Sequence, residues 1–213
     1  MKLRLLLLFS LLLSACAAPP EEIPVTAIDS NAVARHQARV AALEQWQLTG
    51  QLALFNLSAD ERDAVYLEWQ QQPQQLNLRF YHPLKGTLAR LEQDPSGAVY
   101  YDEDGQAYYG RSAQQLVQRL FAFALPVELL QRVVTGAQPA DASAQRYQLL
   151  NEDELPYAPL FSYRVAAEDQ LWTVQLARYE AHGSADAPLF LPTDIELMSE
   201  QWRIKLRVKA WKL

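Results

Sequence analysis

Hydrophobic and polar residues change period several times along the chain, and each change predicts an element. Ala32 to Glu44 carries Val33, His36, Val40 and Leu43 at helical spacing, one face of an amphipathic helix. From Trp46 the period drops to two. Trp46, Leu48, Leu52 and Leu54 alternate with Gln47, Thr49, Gln51 and Ala53, the pattern of a half-buried strand. The alternation returns in Val65, Leu67 and Trp69, in Leu76, Leu78 and Phe80, in Trp172, Val174 and Leu176, and in Ile195 and Leu197. It is clearest where Trp202, Ile204, Leu206 and Val208 face Arg203, Lys205, Arg207 and Lys209.

Turn chemistry separates these strands. Asp94-Pro95-Ser96-Gly97 places Pro at the second turn position, and Asp104-Gly105 suits a type I′ hairpin. One stretch is helical instead. Ser112 with Gln115 reads as a capping box ahead of Leu116, Val117, Leu120 and Phe121. Pro126 opens a second short helix through Leu129, Leu130, Val133 and Val134, closed by Gly136. No long helix separates successive strands, so the sheet is predicted antiparallel. The expected fold is α+β, a single antiparallel sheet with helices against one face. Whether the apolar face encloses a packed core or a hollow is left open by the pattern.

The first residues stand apart. Lys2 and Arg4 precede an apolar run from Leu5 to Leu13, too short to span a bilayer, and small residues follow. This predicts a signal peptide over residues 1–15. Leu13-Ser14-Ala15-Cys16 resembles the bacterial lipobox, which implies cleavage before Cys16 and lipid attachment to it. Two or more acyl chains give stable anchoring, each buried methylene contributing roughly 0.8 kcal/mol. Ala17 follows where an Asp resembles an inner-membrane retention signal, which favours the outer membrane. Residues 16–31, with Pro19, Pro20 and Pro24, read as a lipidated tether reaching at most about 50 Å. Residues 32–213 form the folded domain.

Charge and cysteine content narrow the chemistry. The 213 residues hold 19 Lys and Arg against 25 Asp and Glu, a net charge of −6, with no basic stripe for nucleic acid. One cysteine allows neither an intramolecular disulfide nor a thiolate metal cluster. Gly105 to Ser112 misses the phosphate loop, with Arg111 in place of Lys and two tyrosines inside it. His36, His82 and His182 lack ligand spacing, and Ser184 sits in no nucleophile elbow. The reading is not an enzyme, with no cofactor and no metal.

The segment from Phe80 to Thr87 is a different kind of feature. Pro83 and Gly86 make it a turn between two strands, with apolar Leu84 at its tip.

Together these residues resemble the LolB family, the outer-membrane receptors of the lipoprotein localisation pathway. The lipobox fits, as do Trp46-Gln47-Leu48-Thr49-Gly50 after the first helix and Trp69-Gln70-Gln71 at a strand end. His82-Pro83-Leu84-Lys85-Gly86 resembles the family's Asn-Pro-Leu-Gly loop, and Gln201-Trp202-Arg203-Ile204-Lys205-Leu206 with Trp211 resembles its last strand. His82 and Lys85 depart from that loop, and a positive φ at Lys85 would carry a cost that Gly does not incur.

The resemblance implies an unclosed β-barrel with a helical lid over an apolar cavity. It implies receipt of lipoproteins from the periplasmic carrier LolA, acyl chains held in the cavity, and delivery into the outer membrane. Pro83, Leu84, Lys85 and Gly86 become the membrane-insertion loop. Candidate cavity residues are Trp46, Leu48, Leu52, Leu67, Trp69, Leu78, Phe80, Trp172 and Val174, opposed by Leu116, Leu120 and Leu130. The expected protein is a monomer on the periplasmic face, anchored by N-terminal lipid. The alternative is a structural lipoprotein of an outer-membrane assembly without a ligand cavity.

Overall fold

The computed structural model describes residues 28–121, 125–150, 155–184 and 186–213. The leader, Cys16 and the tether as far as residue 27 lie outside the described residues. Helix α1 (Ser30–Ala41) precedes β1 (Trp46–Asn56), β2 (Glu61–Gln72), β3 (Gln75–His82), β4 (Gly86–Asp94), β5 (Gly97–Tyr101) and β6 (Ala107–Gly110). Helices α2 (Ala113–Leu120) and α3 (Val127–Val133) follow. The chain then runs through β7 (Ser143–Tyr147), β8 (Leu160–Ala167), β9 (Gln170–Ser184), β10 (Ala187–Met198) and β11 (Trp202–Lys212).

All eleven strands form one antiparallel sheet in the order β6-β5-β4-β3-β2-β1-β11-β10-β9-β8-β7. The first and last strands pair at its centre, with Leu52 opposite Leu206 and Leu54 opposite Ile204. β6 and β7 are the free edges, so the sheet curls without closing. The chain passes from one free edge to the other through α2 and α3, and this connection carries the helices across the open side.

Alternation selects the inner face. In β1, Trp46, Leu48 and Leu52 are buried, whereas Thr49 is exposed. Ala113, Leu116 and Val117 from α2 and Val127, Leu130 and Val133 from α3 join the inner strand residues in one apolar cluster. α1 lies outside it, over Leu189 and Leu191, which pack with Val40. Gly50 is required where β11 shifts register, because a Cβ there would lie 2.5 Å from the Arg207 carbonyl oxygen.

Three local expectations change. α1 begins at Ser30, within the segment assigned to the tether, because the Asp29 carboxylate accepts the Asn31 N–H at 2.9 Å and caps the helix. It ends at Ala41, before Leu43. The type I′ hairpin at Asp104-Gly105 does not form. β5 and β6 are joined by residues 102–106, where Asp102 accepts from the N–H groups of Asp104 and Gln106 at 3.1 and 2.9 Å. Asp102 thereby organises a wider loop around itself. In α2, Ser112 Oγ accepts the Gln115 N–H at 3.2 Å, but Gln115 Oε1 reaches back to the Arg111 N–H at 2.9 Å rather than to that of Ser112.

Candidate functional site: an apolar hollow and the turns at its mouth

The inner face is unevenly filled. At the end where β1 begins, Trp46 packs against Trp69 and Trp211 with ring centroids 5.2 and 5.4 Å apart. α3 lies over that end, with Gln131 donating to Gln71 at 3.3 Å. Toward the opposite end α2 reaches the inner face through Val117 and its C-cap residue Phe121 without filling the space beneath them. A hollow of about 500 Å³ remains there, within the usual range for ligand sites.

Leu52, Leu54, Val65 and Phe80 line the hollow from β1 to β3. β4 adds Leu88, Ala89 and Leu91, and β5 adds Tyr100. A register shift in β4, with Phe80 opposite Ala89 and Tyr81 opposite Thr87, makes Leu88 an extra residue. Such a bulge breaks the alternation, so Leu88 and Ala89 both border the space. Val117, Phe121, Leu125 and Trp202 complete the apolar wall. Asn56, Glu61 and Asp63, beside the β1–β2 turn, mark its mouth.

The candidate cavity residues share one interior but not one surface. Leu52 and Phe80 line the hollow. Leu67, Trp69, Leu78 and Leu130 border a gap of only about 10 Å³ that also touches Leu52, Phe80 and Leu125. Trp46, Leu48, Leu116, Trp172 and Val174 are packed into the apolar cluster, with Leu120 against its margin. The Trp69 indole N–H finds no acceptor among the described residues. Sequence reasoning did not nominate Leu88, Ala89 and Tyr100. Leu54, Val65 and Trp202 stood in the alternating pattern and could have been chosen from it.

A recess of similar size, about 540 Å³, lies on the convex face, so size alone does not single out the hollow. Chemistry does. The convex recess is bordered by charges that satisfy one another: Asp194 pairs with Arg207 at 3.2 Å and Arg178 at 2.9 Å, and Glu196 with Arg203 at 2.6 Å and Lys205 at 3.2 Å. Burial would raise the Glu196 carboxyl, but hydrogen bonds and charge from Arg203 and Lys205 hold it below its ordinary value. The concave hollow is walled mostly by carbon.

The turn bearing Leu84 lies at the hollow's end of the sheet. Lys85 N–H donates to the His82 carbonyl at 3.1 Å, closing a turn with Pro83 and Leu84 inside it. His82 Nδ1 accepts the Leu84 N–H at 3.2 Å, the bond an Asn side chain would otherwise provide. The positive φ, +83°, falls on Gly86 rather than Lys85, so the lysine carries no strain of that kind. Leu84 is 91% exposed.

A half-barrel of antiparallel strands, open along one side and lidded by short helices over an apolar space, is the class this fold and site define. The family model for the outer membrane lipoprotein LolB matches residues 44–211. The outer-membrane lipoprotein LolB of Vibrio cholerae is 30% identical over 203 residues, covering 95% of this chain and 92% of its own. That of Pectobacterium carotovorum is 32% identical over 211 residues, covering 98% and 95%. The chain belongs to the LolB family of outer-membrane lipoproteins. A solved LolA superfamily protein from Nitrosomonas europaea superposes with a TM-score of 0.44 at 8% identity, covering 86% of this chain and 92% of that one. That likeness is too distant to carry ligand or partner across.

Proposed function

We propose that the protein is an outer-membrane receptor, anchored by lipid on Cys16 at the periplasmic face. It accepts lipoproteins from the carrier LolA, shelters their acyl chains in the hollow and inserts them into the outer membrane as a monomer. The observation that carries this reading is an apolar hollow of about 500 Å³ at the end of the sheet that presents Leu84.

Acyl chains leave water readily, each buried methylene contributing about 0.8 kcal/mol. A hand-off between two such hollows needs no nucleotide if the receiver buries more of the chain than the donor. The narrow gap beside Trp69 limits how deeply a chain enters while α3 rests on it. Lifting α3 would join the gap to the hollow through their shared residues Leu52, Phe80 and Leu125. Leu84, outside the core, contacts the bilayer and presents the mouth to it. Burying one leucine yields roughly 1.5–3 kcal/mol, enough to bias orientation but not to anchor.

Leu84→Glu tests this division of labour. Folding, fatty-acid binding and receipt from LolA should persist, while delivery into liposomes fails and cargo stays on the receptor. Normal delivery would remove the membrane role of the turn. Loss of receipt as well would make Leu84 part of the cavity or of the contact with the carrier.

A further inference from the structure

Leu84 is not alone at its end of the sheet. Leu57, Leu171 and Met198 are also exposed large apolar residues, and register places all of them at that end. Thr173 stands opposite Met198, Met198 opposite Arg203, Arg203 opposite Phe55 and Phe55 opposite Arg62. Leu171 lies two residues beyond Thr173 on the same convex face, a diagonal neighbour of Met198 at about 7–8 Å. Leu57 N–H donates to the Gln201 carbonyl at 2.8 Å, which ties the β1–β2 turn to the β10–β11 turn. The Arg62 and Arg203 guanidiniums sit 5.2 and 6.0 Å from the Phe55 ring centre.

We propose that these turns form one bilayer-facing rim, in which Leu57 and the Leu171–Met198 pair add contacts separate from Leu84. The inference rests on the membrane role given to Leu84 above and extends it to the other limb of the half-barrel. A single inserted leucine leaves the protein free to tilt. Measured across the strands, the β3–β4 and β1–β2 turns are two spacings apart, about 10 Å, and the β8–β9 turn lies six spacings from the first, about 29 Å. β2 also runs on past Tyr66, its last partner for β3, so Leu57 stands about three residues, roughly 10 Å, farther along the strands than Leu84. Because the sheet curls, these points lie on an arc, and three points on an arc define a plane. Insertion at all three sets the mouth of the hollow flat against lipid.

A lipid bilayer fits this rim for two reasons. The turns carry charges of both signs, Lys85 and Arg62 with Asp60, Asp169 and Glu200, which suits a zwitterionic headgroup layer. The cations can lay their stems along apolar surface with their charges at the phosphates, and the carboxylates can meet the ammonium groups. The chain from Cys16 to the Asp29 cap can span up to about 45 Å when extended, so a lipid anchor on Cys16 leaves this end free to meet the membrane.

The test uses the mature chain with Cys16→Ala, which removes its one cysteine. Single cysteines replace Leu57, Leu84, Leu171 and, as a control at the opposite end of the sheet, Leu213. Each carries an environment-sensitive NBD label and is mixed with phosphatidylcholine vesicles with and without doxyl-labelled lipid. Labels at 57, 84 and 171 should shift to the blue and be quenched, and the label at 213 should not. In the unlabelled chain, Leu171→Ser with Met198→Ser should weaken vesicle binding about tenfold while fatty-acid binding is unchanged. A response at 84 with none at 171, or unchanged vesicle affinity in the double variant, overturns the rim. Silence at 84 as well removes the membrane role itself. Saturable fatty-acid binding in the same sample would then show that the cavity reading survives separately. A blue shift at 171 without lipid, accompanied by faster sedimentation, would assign the patch to self-association and overturn the proposal.

Discussion

Ala89→Leu separates a hollow from a packed core. Ala89 lies on β4 opposite Phe80, and its side chain borders the space without filling it. Leucine adds three carbons there. In a packed interior, such overfilling costs about 1–3 kcal/mol of stability. In an empty apolar space, it costs little and can stabilise. The same three carbons occupy room that about three methylenes of an acyl chain would take. At about 0.8 kcal/mol each, the loss is roughly 2.4 kcal/mol, or about sixtyfold in affinity. Titrating a fluorescent fatty acid, alongside urea unfolding of the same sample, reads both quantities. Undiminished stability with much weaker binding is expected. A folded variant that binds as the parent does would show that acyl chains lodge elsewhere, and a stability loss above about 1 kcal/mol would show that the space is not free.

Three further outcomes follow from the same account. Cys16→Ala behind a cleavable signal should release the protein from the membrane fraction into the soluble periplasm, and persistent fractionation with membranes would contradict the lipid anchor. In side-by-side titrations, the receptor should bind fatty acid more tightly than LolA, because transfer without nucleotide must run downhill, and equal or weaker binding would remove that mechanism. Burial lowers the pKa of His36, partly opposed by its hydrogen bond to the Phe190 carbonyl. The unfolded chain therefore binds a proton near pH 6.5 that the folded chain refuses, and stability is lost as pH falls from about 6.5 toward the folded value. Thermal melts from pH 7.5 to 5.5 should fall more steeply for the parent than for His36→Gln, and parallel slopes would refute the assignment.

The sequence makes the strands legible where one face is buried and the other wet, as in β1, β9 and β11. It hides them where that contrast fails. β10 contains Pro188 and Pro192, which argue against an interior strand, yet β11 pairs with it only from Asp194 to Met198. Both prolines sit where β10 has β9 on one side and no partner strand on the other, a position that tolerates a missing N–H. β7 shifts register twice against β8 and holds Ala144 at a φ of 50°, so no period survives in it. The hollow was beyond sequence reading for another reason. It depends on what the helices fail to fill, and on a bulge that turns Leu88 out of alternation. The exposed tip of the β3–β4 turn was readable, since Pro83 and Gly86 fix a turn and leave Leu84 at its apex. The placement of Leu57, Leu171 and Met198 at the same end of the sheet depends on strand order, which local pattern does not carry.

Acyl chains received from the carrier should lie against the concave face. A lipoprotein bearing a photoactivatable acyl chain, loaded on LolA and transferred to this protein, tests it directly. After irradiation, mass spectrometry should locate the label on Leu54, Val65, Phe80, Leu88 or Tyr100. Labelling of convex-face residues such as Gln51 or Ala53, or no transfer at all, would contradict it.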